Sequence, residues 1–195
     1  MQKVGILLFI ITLLLSLLGV FILYESSSYT AILNIGDRYH FVKNQLMWVG
    51  GGVILAFILS RFDYRKAYPL ALPALVITGI LLIVVFIPGI GLELKGSNRW
   101  IDLKFIVVQP SELLKISLTM YLAAWLSRKE SNRLGAFLIL FFVFVGLVAM
   151  EPDLGSALVV ATTSVIVYFL SGTKMKEMFI IAAVLIAGII ALIKF

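Results

Sequence analysis

The chain is 195 residues long, 62% hydrophobic and only 13% charged, whereas soluble domains are about 45–50% apolar and about 25% charged. That composition belongs to an integral membrane protein, its length filled by six or seven spans and short loops. With no cysteine and a single histidine, His40, disulfides, thiolate metal sites and a histidine-based metal cluster are excluded, and the net charge of +6 reads as basic cytoplasmic loops, not as a nucleic-acid footprint.

Residues 4–24 form the first apolar run. It exceeds the about 7–15 apolar residues of a secretory signal, and no small-residue cleavage site follows, so a retained first span is expected. Residues 25–45, polar and aromatic, read as a loop. The second span is expected over 46–60, or from nearer Phe41, with Trp48 close to one interface. Its Gly50-Gly51-Gly52 suits either close helix packing or a locally loosened helix. After the basic turn 61–66 comes a third span over 69–87, with Pro73 in its first turns, where proline is tolerated. Pro88-Gly89-Ile90-Gly91 stops it. Residues 89–109 make the longest loop, followed by a fourth span (111–127), a basic turn (128–133) and a fifth span (134–150). Glu151-Pro152-Asp153-Leu154-Gly155-Ser156 opens a sixth span reaching 171, and a seventh covers 178–193. The expected fold is all-α: one membrane domain over 1–195, a polytopic bundle of about seven transmembrane helices near the roughly 20 residues a bilayer requires. Internal repeats and low-complexity segments are not evident.

Charge bias orients the bundle. Lys3 and the turns 61–66, 128–133 and 174–176 carry nine lysines and arginines, against six at Arg38, Lys43, Lys95, Arg99, Lys104 and Lys194. The richer side is expected to be cytoplasmic, which puts the amino terminus inside. The fourth and sixth spans then both start from the outer face. The segments 99–115 and 151–156 should therefore meet there, although they are distant in sequence.

Those segments hold the candidate functional residues. Glu112 and Lys115 lie three apart on one helix face and can touch. Capping explains Glu112, since a carboxylate favours a helix amino terminus and Pro110 suits the first helical position. It leaves Lys115 as a snorkelling lysine, or as half of a desolvated pair that fixes a helix or meets an anionic ligand. Glu151 and Asp153 read either as helix caps or as carboxylates presented to an outer cavity, able to bind a cation or position a sugar hydroxyl. Arg99 and Trp100 read as interfacial anchors, with phosphate or pyrophosphate binding by the guanidinium as the alternative. Thr162, Thr163 and Ser164 suit interhelical hydrogen bonds. A Ser-His-Asp triad, a nucleotide-type phosphate loop and zinc spacing are all missing. A retinal protein would need a lysine deep in the last span, and Lys194 lies at its very end.

Taken together, Arg99-Trp100-Ile101, Gln109-Pro110-Ser111-Glu112 with Lys115, and Glu151-Pro152-Asp153-Leu154-Gly155-Ser156 resemble the SEDS family of shape, elongation, division and sporulation proteins, to which FtsW, RodA and SpoVE belong. Tyr24, Ser26-Ser27-Ser28, Tyr39-His40-Phe41, Gln45 and the Pro-Gly-Ile-Gly run extend the likeness over most of the chain and lean towards the FtsW branch. The resemblance implies a peptidoglycan glycosyltransferase in the bacterial cytoplasmic membrane, polymerising lipid II at the outer face for division or cell shape. A class B penicillin-binding protein is the implied partner. Such chemistry needs a base for the attacking sugar hydroxyl and cationic help for the leaving pyrophosphate. The resemblance puts Arg99, Trp100, Glu112, Lys115 and Asp153 in or beside the substrate cavity, Arg99 as the better pyrophosphate contact. It identifies no cofactor; a divalent cation is admissible, but nothing in the sequence indicates one. Two departures stand out. Lys104 occupies a position where the family usually has glycine, so a different turn is expected. The family's ten spans and essential aspartate extend beyond Phe195, so no residue here is assigned as catalytic base. An incomplete chain with little polymerase activity of its own is expected, and glycan synthesis by the purified chain would refute that. A lipid II flippase and a non-catalytic scaffold for the penicillin-binding protein are the rival readings.

Overall fold

The structure, a computed structural model, describes residues 2–194 except 88–89, 95–96, 103, 105, 129–132 and 152, with the backbone alone at 2, 93–94, 97–98 and 187–194. Pro88, Gly89, Lys95, Lys129 and Pro152, which carried part of the expectations above, lie outside the described residues. The chain forms two compact units, Met1–Phe62 and Asp63–Phe195.

The first unit is a helical hairpin of α1 (Gln2–Ile35) and α2 (His40–Ser60). The expected loop over 25–45 is corrected: α1 runs on to Ile35, and α2 begins at His40, close to the Phe41 alternative and not at 46. The serines do not break the helix, because Ser26 and Ser27 turn their hydroxyls back to the Leu23 carbonyl (3.2 and 2.6 Å) and so bring no unpaired polar group. The stop is Gly36. It adopts φ 79 and donates its N–H to the carbonyls of Ala31 and Ile32, a left-handed cap that costs glycine little. Asp37 then accepts from the Tyr39 N–H (2.9 Å) and pairs with Lys43 (2.8 Å), while the Tyr24 and Tyr39 rings stack at 5.7 Å. A Cβ at Gly50, Gly51 or Gly52 would meet nothing within 4 Å, so close packing of that triplet is not what the hairpin uses.

The second unit begins with a 3-10 turn, Tyr64–Ala67, leading into α3 (Tyr68–Val84). Pro69 takes the opening turn of α3, and Pro73 lies inside the helix, where it leaves the carbonyl four residues back without its helical donor. The long loop expected next is instead a three-stranded antiparallel sheet of β1 (Gly91–Leu94), β2 (Ser97–Asp102) and β3 (Val107–Val108) in that order. Leu92 pairs with Trp100 and Glu93 with Asn98, so Arg99 is the extra residue of a β-bulge, a device that re-aims a side chain. Lys104 adopts φ 68 and its N–H is held by the Asp102 carboxylate at 2.7 Å. The lysine thus takes a left-handed conformation that would cost glycine little.

Then follow α4 (Pro110–Leu126), α5 (Leu134–Met150), α6 (Leu154–Leu170) and α7 (Met175–Lys194). The seventh helix starts three residues earlier than expected, with Glu177 in its first turn, where a carboxylate suits the helix dipole. α4 packs between α3 and α6, and α6 also packs on α5. The reason is a stripe. Leu114, Leu118, Leu122 and Leu126 recur every fourth residue and are all buried, against Leu75 and Leu82 of α3 and Val160 of α6. On α3 a Cβ at Gly79 would sit 3.3 Å from the Phe144 ring of α5, so the missing side chain lets these helices close.

The surface is apolar as well as the core. Large apolar residues are exposed along most helices, while Thr78, Ser111, Ser117, Ser156 and Ser164 are buried. Thr78 and Ser164 satisfy their hydroxyls on the carbonyls of Ala74 and Val160, as helices in lipid require. Among the described residues, Lys3–Ile35, His40–Ser60 and Tyr64–Val84 are long and apolar enough to cross a membrane; α5 and α6 are apolar and shorter.

Candidate functional site

The amino-terminal ends of α4 and α6 meet β2 in one charged cluster. Asp153 is the N-cap of α6 and accepts the Ser156 N–H at 2.9 Å, so its reading as a cap holds. Its other oxygen takes a hydrogen bond from Gln109 Nε2 (3.3 Å) and lies 3.8 Å from Arg99 Nη1. Arg99 also donates from Nε to the Glu151 carbonyl at 2.7 Å. The bulge therefore turns this guanidinium onto the α5–α6 corner, a role that anchoring alone does not describe. Burial raises the Asp153 carboxyl, but the Ser156 backbone and hydroxyl, then Arg99 and Lys115, outweigh it and hold the group below its usual range.

Lys115 and Glu112 form the expected pair, with Nζ 2.5 Å from Oε1. The pair is not enclosed by protein: the Glu112 side chain is 56% exposed and that of Lys115 26%. Position explains this, since Glu112 occupies the first turn of α4 on the flank away from the leucine stripe. Lys115 is close enough to Asp153 to help stabilise its charge, so both cations serve one carboxylate. Trp100 is half-buried opposite Leu92 in the sheet and, among the described residues, has no hydrogen bond within the cluster.

Glu151 departs furthest from expectation. It is 1% exposed, so its carboxylate faces inward and not into an outer cavity. Neither of its carboxylate oxygens, nor the Ser111 hydroxyl at the start of α4, has a hydrogen-bond partner of normal geometry. Burial first, and the Asp153 charge second, push the Glu151 carboxyl up to about 7, against the opposing pull of Arg99 and Ser111. Near neutral pH this residue is poised between acid and carboxylate, whereas Asp153, two positions on, stays ionised. Gln109 and Ser111 were missed as partners: the Gln-Pro-Ser-Glu run signals a helix start, and only the folded corner shows what those side chains reach. Among the described residues no group of three histidine, cysteine or acidic side chains is arranged to hold a metal ion.

Comparison with known proteins gives a consistent picture. The profile of the FtsW/RodA/SpoVE family, described as "cell cycle protein", matches residues 6–195. A probable peptidoglycan glycosyltransferase FtsW of Trichlorobacter lovleyi is 36% identical over 163 residues, 80% of this chain and 43% of that protein. Stage V sporulation protein E of Bacillus subtilis is 33% identical over 195 residues, 96% of this chain and 53% of that protein. The chain thus spans about half the length of these curated relatives. Among solved structures, the rod shape determining protein RodA of Thermus thermophilus aligns with a TM-score of 0.63 at 29% identity, covering 85% of this chain and 58% of RodA. A chain from a structure of a peptidoglycan synthase complex aligns at 0.64, also 29% identical, covering 89% and 51%.

Proposed function

This chain belongs to the FtsW/RodA/SpoVE family of cell cycle proteins, a multi-pass helical membrane protein on the FtsW-like side, and from that premise we propose that it carries the pyrophosphate-binding corner of a peptidoglycan glycosyltransferase acting on lipid II. One observation carries the reading: Arg99, Lys115 and Asp153, from a strand bulge, a helix and a helix corner, converge at one end of the bundle. Growth of a glycan strand breaks the bond between the sugar anomeric carbon and the pyrophosphate of one lipid-linked unit. The hydroxyl of another unit forms the new bond, its proton going to a base and the pyrophosphate leaving as an anion. Arg99 offers a planar, permanently charged fork suited to that anion, and Lys115 a second positive charge beside it. Asp153 is a positioning residue here: with Ser156, Gln109 and Arg99 around it, and its proton affinity lowered, it is a poor base and a good anchor.

The cytoplasmic membrane is the proposed location, with the amino terminus inside and this corner at the outer face, supported by the distribution of lysine and arginine. A class B penicillin-binding protein is the proposed partner, supported by the likeness to a chain of a peptidoglycan synthase complex. The test is retention of lipid II by the purified chain in detergent. Arg99→Ala is expected to weaken it by roughly tenfold or more, the loss of one charge-assisted contact, with Arg99→Lys in between and undecaprenyl pyrophosphate competing. Equal retention by wild type and Arg99→Ala would sink the proposal.

A further inference from the structure

The opposite end of the same helices holds a second charged feature that the glycosyl-transfer reading does not use. α4 and α6 both start at the cluster just described, so their carboxyl ends lie together about 25 Å away, the length of 17 residues of helix. There a cavity of about 870 Å³ is lined by Ser127, Arg128, Arg133, Thr173, Lys174 and Glu177 among others. Its charged groups have unequal roles. Arg133 is a brace, donating to the carbonyls of Trp125 and Arg128 with its guanidinium over the Trp125 ring. Glu177 accepts the Tyr168 hydroxyl at 2.5 Å and lies at the start of α7. Arg128 and Lys174 are exposed, and among the described residues neither is in an ion pair. Two cations thus border the cavity, a charge pair suited to a phosphate, while the Ser127 and Thr173 hydroxyls beside them already donate to the carbonyls of Ala124 and Tyr168.

What distinguishes a lipid phosphate from a dissolved one is the next cavity. It measures about 560 Å³, shares Ser127 and Arg128 with the first, and is walled by Tyr68, Tyr121 and Trp125. The Tyr121 and Trp125 rings stack at 6.3 Å. Aromatic rings beside basic residues at the end of apolar helices are the surroundings of a lipid at the membrane interface. We propose that this end of the bundle binds the phosphate of an anionic membrane lipid between Arg128 and Lys174, with the glycerol and upper chains along the Tyr121–Trp125 face.

The test is native mass spectrometry of the 195-residue chain, purified in detergent and offered phosphatidylglycerol and phosphatidylcholine in equal amounts. Wild type is expected to retain phosphatidylglycerol preferentially. The double variant Arg128→Gln/Lys174→Gln should lose that retention by roughly thirtyfold, each charge being worth about fivefold at a membrane surface. Lys66→Gln, an exposed lysine outside both cavities, should leave it unchanged. Equal retention of the two lipids by wild type overturns the proposal without reference to any variant. So does an equal loss in Lys66→Gln, which would make the effect one of overall charge. Displacement of phosphatidylglycerol by inorganic phosphate alone would replace the lipid with a small anion and overturn it too. None of these readouts depends on lipid II binding at the other end.

Discussion

The two ends of α4 and α6 are built from the same helices and handle charge in opposite ways. At the amino-terminal end, ionisable groups are tied together: Asp153 joins Arg99, Gln109 and the Ser156 backbone, and Glu151 is sealed beneath them. At the carboxyl end, Arg128 and Lys174 stand at the rim of a cavity and Arg133 is spent on backbone carbonyls. Helix dipoles sharpen the contrast, since carboxylates are favoured at the first end and cations at the second. Interlocked charges give a geometry that can discriminate, while open ones give attraction that salt weakens. One helix pair thus carries an interlocked charge cluster and an open one about 25 Å apart.

Breaking the interlocked end should cost most. Asp153→Ala removes the cap of α6 and leaves Arg99 without its carboxylate, so a loss of roughly 3 kcal/mol is expected in thermal unfolding in detergent. Asp153→Asn keeps the cap, because asparagine caps as well as aspartate, and should recover about 1 kcal/mol of that. The difference between the two isolates the cap, and the loss that remains in Asp153→Asn isolates the charge. If Ala and Asn are equally harmful, the ion pair is the whole effect and the cap contributes nothing.

Glu151 supplies a pH signature of similar size. Its folded-state pKa of about 7 lies above the ordinary 4.5, so the folded protein holds a proton that the unfolded chain releases. Stability from this group is fully present below pH 4.5 and is lost as pH rises towards and through 7, by about 3 kcal/mol at pH 8. Glu151→Gln should flatten that dependence between pH 5 and 8, where both values set the window. A wild-type melting profile already flat over this range would contradict the buried, protonated state.

At the other end the effects are smaller. Tyr168→Phe deletes the hydroxyl bonded to Glu177 but keeps the ring that stacks on Phe137 at 4.2 Å. A loss of about 1–2 kcal/mol is expected, and no loss would mean that Glu177 finds an equivalent donor. The smallest change lies near the interlocked end and should be favourable. Lys104→Gly relieves a left-handed lysine at φ 68 and should add about 1 kcal/mol. A destabilised variant would show that the lysine side chain contributes more than its backbone costs.

How far this was legible in the sequence depends on the range of the forces involved. The fifth span was read at the bounds of α5, Leu134–Met150, because an uninterrupted apolar run between basic turns allows little else. Charge bias alone placed the starts of α4 and α6 at one end, and Arg99 and Gln109 do meet the α5–α6 corner. The continuation of α1 past Glu25 was misread because serines look like a loop until their hydroxyls are seen folding back on Leu23. The small sheet was missed because its strands span four, six and two residues, too short for a clear alternation. The inward turn of Glu151 and the bulge at Arg99 depend on register between distant segments, which no local pattern encodes.

The length of α1 has a mechanical consequence. Thirty-four residues rise about 51 Å, while the hydrocarbon layer is about 30 Å thick. Lying wholly within that layer would need a tilt beyond the 0–40° that transmembrane helices adopt. One end of α1 is therefore a helical tip standing clear of the hydrocarbon, and the stacked Tyr24 and Tyr39 tie α1 to the start of α2. A force applied at that tip reaches the bilayer through a lever and not through a slack tether.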